Sequence, residues 1–132
     1  QNAHPVCPVE YYEEALTHFD DVPVLVFSDD MDWCREQELF AGDRFMLSEY
    51  NERYPQTCDT NDGRQRALIP YFDMCMMTLC SGGIMANSSM SWWGAWLISN
   101  PTQPIIAPKQ WFGEQYKDYN MNDLRPEEWI QI

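Results

Sequence analysis

Two short stretches of the chain gather more small polar side chains than folding alone requires. The first is Ser28-Asp29-Asp30, which closes the apolar run Val24–Phe27. Two neighbouring carboxylates can accept paired N–H donors, and guanine offers such a pair in its adjacent ring and amino groups. Helix capping also accounts for one of the two acids, at about 1 kcal/mol for the helix it starts. The second stretch is Asn87-Ser88-Ser89-Met90-Ser91, just ahead of Trp92-Trp93-Gly94-Ala95-Trp96. The hydroxyls of Ser88, Ser89 and Ser91, with the amides of a first helical turn, suit an anion such as a diphosphate. Capping again needs only one of these residues. Lys109 follows the apolar run Pro104–Ala107 and is placed either to neutralise a phosphate or simply to be solvated. Among the three tryptophans, core packing is expected for at least two, leaving one open to stacking on a sugar.

The elements around these stretches alternate between two periods. Tyr12, Ala15, Leu16 and Phe19 fall on one helical face and predict a helix over Val9–Phe19, with Pro8 suited to its first turn. Val24–Phe27 reads as a strand buried on both faces, Met31–Leu39 as a helix ending at Ala41-Gly42, and Arg44–Leu47 as a strand. Ser48–Gln65 is polar and without period, and reads as a long loop. Ile69, Phe72, Met76 and Leu79 place a helix over Leu68–Cys80. A strand at Ile84–Ala86, a helix at Met90–Ser99, a strand at Pro104–Ala107 and a helix at Gln110–Tyr119 complete the chain. Strands alternating with helices imply parallel crossovers, so the expected fold is α/β, an open parallel sheet with helices on both faces. In such sheets ligands sit beyond the carboxyl ends of the strands, where both polar stretches fall.

Composition narrows the partners. The chain has 132 residues, 45% of them hydrophobic, which suffices for one domain and not for two. A net charge of -13, from 21 acids against 8 bases, argues against nucleic acid and anionic membranes, whose binding needs clustered Lys and Arg. No run approaches the roughly 18 apolar residues of a membrane span. The five cysteines, Cys7, Cys34, Cys58, Cys75 and Cys80, are irregularly spaced and include no CxxC, so a reducing, cytoplasmic setting is the simplest expectation. His4 and His18 have no partner motif and read as ordinary polar residues. No P-loop, GxGxxG or Ser-His-Asp pattern is present.

The quoted segments are similar to a known family. FSDDMDWC (Phe27–Cys34), MANSSMSWWGAWL (Met85–Leu97) and IAPKQWF (Ile106–Phe112) resemble, in that order, signature blocks of the α-1,2-fucosyltransferases, glycosyltransferase family 11. HPVCPVEYYEEAL resembles the opening of that family's C-terminal half, and the helix ending MCMMTLC resembles its D-x-x-x-M-s-x-C lead-in. The resemblance spans essentially the whole chain. It implies a two-domain GT-B enzyme that moves L-fucose from GDP-fucose to a sugar hydroxyl with inversion and without a metal. This chain would be the Rossmann-like C-terminal half that binds the GDP-sugar donor, and the N-terminal half, where the carbohydrate acceptor mostly binds, would be absent. By matching positions, Asp29 and Asp30 become guanosine-side candidates, and Asn87, Ser88, Ser89 and Ser91 diphosphate-side candidates.

The sequence also departs from the family pattern. Nothing in it matches the family's H-x-R-R-x-D motif, whose arginine is thought to stabilise the departing diphosphate. Met90 stands where the family has Phe, and Ser81-Gly82-Gly83 replaces a more polar junction. The chain begins with Gln, as an excised or mid-gene segment would. These departures lead to the expectation that the chain binds donor but transfers sugar poorly by itself, with no catalytic residue assignable. Two further readings are a non-catalytic nucleotide-sugar-binding or assembly module of the same fold, and a flavodoxin-like regulatory domain with Asp29 and Asp30 at a strand end. The last leaves the serine block unexplained.

Overall fold

A computed structural model describes residues 4–48, 68–116 and 118–132. The polar stretch expected as a loop lies, beyond Ser48, outside the described residues. The chain divides into two compact units, one of residues 1–20 with 77–132 and the other of residues 21–76. All strand pairs in both are parallel, which together with the intervening helices makes the fold α/β.

In the unit of residues 21–76, β1 (Val24–Val26) pairs with β2 (Phe45–Leu47), Val24 opposite Phe45 and Val26 opposite Leu47. The residues of β1 are half-buried rather than fully buried, because the strand has one hydrogen-bonded neighbour among the described residues. Helix α2 covers Met31–Glu36, where a longer helix was expected. Gln37 turns extended and its side-chain amide donates to the Trp33 carbonyl at 3.0 Å, so the helix stops there and a single 3-10 turn, Glu38–Phe40, follows. Helix α3, Leu68–Thr78, carries the chain from this unit into the other. Within the unit of residues 21–76 its buried Asp73 accepts from the Ser48 hydroxyl at 3.4 Å.

The other unit is built on β3 (Gly83–Ile84), β4 (Ile105–Ala107) and β5 (Ile130–Gln131), with β4 in the middle. Side chains alternate across a strand, so a central strand covered on both faces must be apolar at every position. Ile105, Ile106 and Ala107 meet that requirement, all buried. Ile106 packs with Tyr11 and Ala15 of helix α1 (Val9–Leu16). Ile105 and Ala107 pack on the opposite side with Ala95 of helix α4 (Ser89–Trp96) and with Ile98 just after it. The two neighbouring strands follow the same alternation, Ile84 and Ile130 toward α1 and Met85 and Trp129 toward α4.

Three local departures have plain causes. Helix α1 ends at Leu16, three residues early, because Thr17, His18 and Phe19 bond to carbonyls three residues back and the Thr17 hydroxyl takes the Glu14 carbonyl at 2.6 Å. The helix expected at Gln110–Tyr119 is reduced to a 3-10 turn, Glu114–Tyr116, since Trp111 turns into the core and its carbonyl goes to Asn87. β5 was not foreseen, its two residues being too few to show a period.

Gly82 and Tyr11 join the sheet to its surroundings. A Cβ on Gly82 would lie 2.6 Å from the Pro104 carbonyl oxygen, a backbone atom with no room to yield. Gly82→Ala is expected to lower the unfolding free energy by about 1–3 kcal/mol in denaturant titration. Gly42→Ala, whose Cβ would meet nothing within 4 Å, serves as the neutral comparison. The Tyr11 hydroxyl donates to the Met85 carbonyl at 2.7 Å. Burial, with a smaller effect from Cys7 and Tyr12, pushes its phenol far above the ordinary value of 10.0. A folded-state value raised in this way contributes stability that is intact below pH 10 and lost as pH rises beyond it, when only the unfolded chain releases the proton. Stability measured at rising alkaline pH should therefore fall less steeply in Tyr11→Phe than in the parent.

Candidate functional site

β3 and β4 are parallel, so the segments leaving their carboxyl ends emerge at the same edge of the sheet. Those segments are Asn87-Ser88, leading into α4, and Trp111-Phe112. Between them opens a cleft of ≈ 810 Å³. Its polar lining consists of His4, Asn87, Ser88, Ser89 and Asp123, and its apolar lining of Trp92, Trp93, Trp111, Phe112 and Leu124. A mostly aromatic cavity with a few polar groups is the usual form of a small-molecule site.

Asn87 holds the cleft together. It is 9% exposed, and its side-chain amide nitrogen donates to the Pro5 carbonyl at 2.7 Å and the Trp111 carbonyl at 3.0 Å. Its oxygen accepts from the buried Cys7 thiol at 3.6 Å. The side chain thus ties the segment before α1, the strand end of β3 and the segment after β4. Its polar atoms are spent on the protein rather than turned to a ligand.

Ser88 stands at the N-cap of α4 in extended conformation, yet its hydroxyl makes no capping bond. The first-turn amides of a helix lack intrahelical partners, and here no cap side chain covers them. Ser88 and Ser89 bring their hydroxyls to the cleft at this point. Ser91 and Lys109 do not line it. Lys109 is exposed, with its amide bonded to the Ile132 carbonyl.

At α2 the same position is filled differently. The Asp30 carboxylate accepts from the Trp33 amide at 3.0 Å, so Asp30 is the helix cap. The Ser28 hydroxyl accepts from the Asp30 amide at 3.0 Å, which fixes the turn. Asp29 is exposed at the end of this turn. Asp29 and Asp30 belong to the unit of residues 21–76, the cleft to the other.

The tryptophans depart from expectation. Trp92 packs against the core and donates its indole N–H to the Leu124 carbonyl at 3.1 Å, but Trp93 and Trp96 are 48% and 52% exposed. Residues four apart share a helical face, so Trp96 stacks on Trp92 with centroids 5.1 Å apart and planes at 10°. Trp93, a turn of about 100° away, faces the cleft. Gly94 proves essential for approach to α3 rather than to the sheet, since its absent Cβ would lie 2.6 Å from the Met77 sulfur. Sequence reasoning passed over His4, Asp123 and Phe112. His4 lies more than eighty residues from Ser88, and only its place in the HPVCPVEYY segment could have pointed to it.

Comparison with known proteins fits the order of these blocks. The model of the family described as glycosyl transferase family 11 matches residues 1–132. The chain belongs to that family. An O-antigen biosynthesis glycosyltransferase, WbnK, of Escherichia coli is 31% identical over 133 residues, covering 98% of this chain and 38% of the relative. An alpha-1,2-colitosyltransferase of Escherichia coli is also 31% identical, over 135 residues, covering 98% of this chain and 40% of the relative. The chain therefore spans about two fifths of the length of these family 11 relatives. No solved structure matches. Among the described residues, no helix is long and apolar enough to cross a membrane.

The bonds of Asn87 generate a prediction. Asn87→Ala leaves the Pro5 and Trp111 carbonyls without their donor and should cost about 2–3 kcal/mol of stability in denaturant unfolding. Ser88→Ala, which removes no capping bond, should change stability by less than about 0.5 kcal/mol.

Proposed function

We propose that this chain is the donor-binding part of a fucosyltransferase-like glycosyltransferase, acting by inversion and without a metal in the cytoplasm. Its donor is a GDP-sugar, with GDP-fucose the first choice, and its acceptor a sugar hydroxyl. The fold is read as the Rossmann-like C-terminal half of a GT-B enzyme. The observation that carries the reading is the uncapped start of α4 opening into an aromatic-lined cleft, with Ser88 and Ser89 at its mouth. Amides and hydroxyls there suit a diphosphate, and the helix dipole adds a favourable field. Asp29 is the guanine contact in this reading, Asp30 the cap that holds the turn presenting it. Asn87 supports the diphosphate site from behind, through Pro5 and Trp111.

Residues 1–132 hold no match to the H-x-R-R-x-D motif, so the departing diphosphate lacks its arginine within them, and we read the chain alone as binding donor without efficient transfer. The name of one relative adds colitose to fucose as a donor sugar to be compared.

Calorimetry with GDP-fucose, GDP, UDP and ADP tests the assignment. A guanine preference of at least tenfold is expected, and equal affinity for all nucleotides overturns it. Asp29→Asn should reduce that preference without loss of stability. Asp30→Ala should cost about 1 kcal/mol in unfolding free energy through its lost cap.

A further inference from the structure

A cleft that receives a diphosphate needs positive charge, and this one is poor in it. Neither Lys nor Arg lines it. Arg125 adjoins the cleft residue Leu124, but its guanidinium donates to the Lys109 carbonyl at 2.6 Å. The dipole of α4 contributes only about half an elementary charge. Asp123, in the 3-10 turn Asn122–Leu124, lines the same space and opposes a bound anion. Of the remaining elements around the cleft, α4 brings Ser88, Ser89, Trp92 and Trp93, and the segment after β4 brings Trp111 and Phe112, none of them charged. His4 is then the one lining side chain able to carry a positive charge, set at the cleft with its ring 5.0 Å from that of Phe112, tilted by 54°.

We propose that His4 is the charge-neutralising residue of the donor cleft, binding the diphosphate as an imidazolium, so that donor binding takes up a proton from solvent. The inference rests on the donor-site reading above. Histidine changes charge between about pH 5 and 8, so the cleft gains its cation within the physiological range. Proton uptake and anion binding favour one another by linkage. The sign follows directly. Affinity is highest at acid pH, where His4 is already charged, and falls as pH rises.

The test is isothermal titration calorimetry of the whole chain with GDP-fucose between pH 6.0 and 8.5. A nucleotide sugar is a disubstituted diphosphate with no ionisation of its own in this range, which GDP does not offer. The expected result is an affinity about five- to tenfold tighter at the acid end. At pH 7.5, binding enthalpies in buffers of different ionisation heat should show fractional proton uptake. His4→Gln should bind weakly throughout, with no uptake. His4→Arg should bind with the acid-limit affinity at every pH. Because His4 is exposed, both variants should unfold at the parent's temperature, which separates a charge effect from a folding defect. Binding by the parent that is independent of pH, or a pH dependence retained in His4→Gln, overturns the inference and leaves the donor site standing. Failure of the parent to bind GDP-fucose at any pH overturns the donor-site reading, and the inference with it.

Discussion

One buried carboxamide sets the geometry on which the cleft depends. Asn87 sits where β3 gives way to α4, and its three bonds reach Pro5, Cys7 and Trp111, residues far from it in the chain. Hydrogen bonds between buried groups are worth little in net energy but are costly to break. They are therefore well suited to fixing a position. With Asn87 committed to the scaffold, the hydroxyls of Ser88 and Ser89 are what the strand end presents outward. A short polar run thus divides its labour, one residue anchoring and the next two facing the open space.

The sheet beneath explains why the anchor can be so demanding. β4 is apolar at all three positions because α1 covers one of its faces and α4 the other. Tyr11 reaches from α1 to the Met85 carbonyl, two residues before Asn87. The start of α4 is thereby held by packing on one side and by polar bonds on the other. Preorganisation of this kind keeps first-turn amides directed at one place, which gives a helix terminus its value toward anions.

Much of this was legible in the residues, for identifiable reasons. The strand at 105–107 and the helix after Ser88 announce themselves through continuous apolar character and a capping sequence, signals that need no tertiary knowledge. The family blocks placed the serine stretch correctly beside a helix start. What sequence could not tell is which of several competent side chains is used for what. Asp30 and Ser88 occupy equivalent N-cap positions, yet only Asp30 bonds to its own helix. The use of Asn87, the exposure of Trp93 and Trp96, and the arrival of His4 and Asp123 at one cleft all depend on contacts between distant segments. No local period encodes those.

The tryptophan stack has an optical consequence. Trp92 and Trp96 lie nearly coplanar at 5.1 Å, with Trp129 against both at 5.7 and 6.3 Å. Chromophores this close share their electronic excitation. The ultraviolet circular dichroism of this chain must accordingly contain an aromatic couplet superimposed on the backbone bands. Helix content taken from such a spectrum would be misjudged, while the couplet itself reports directly on whether α4 keeps its grip on the end of the sheet.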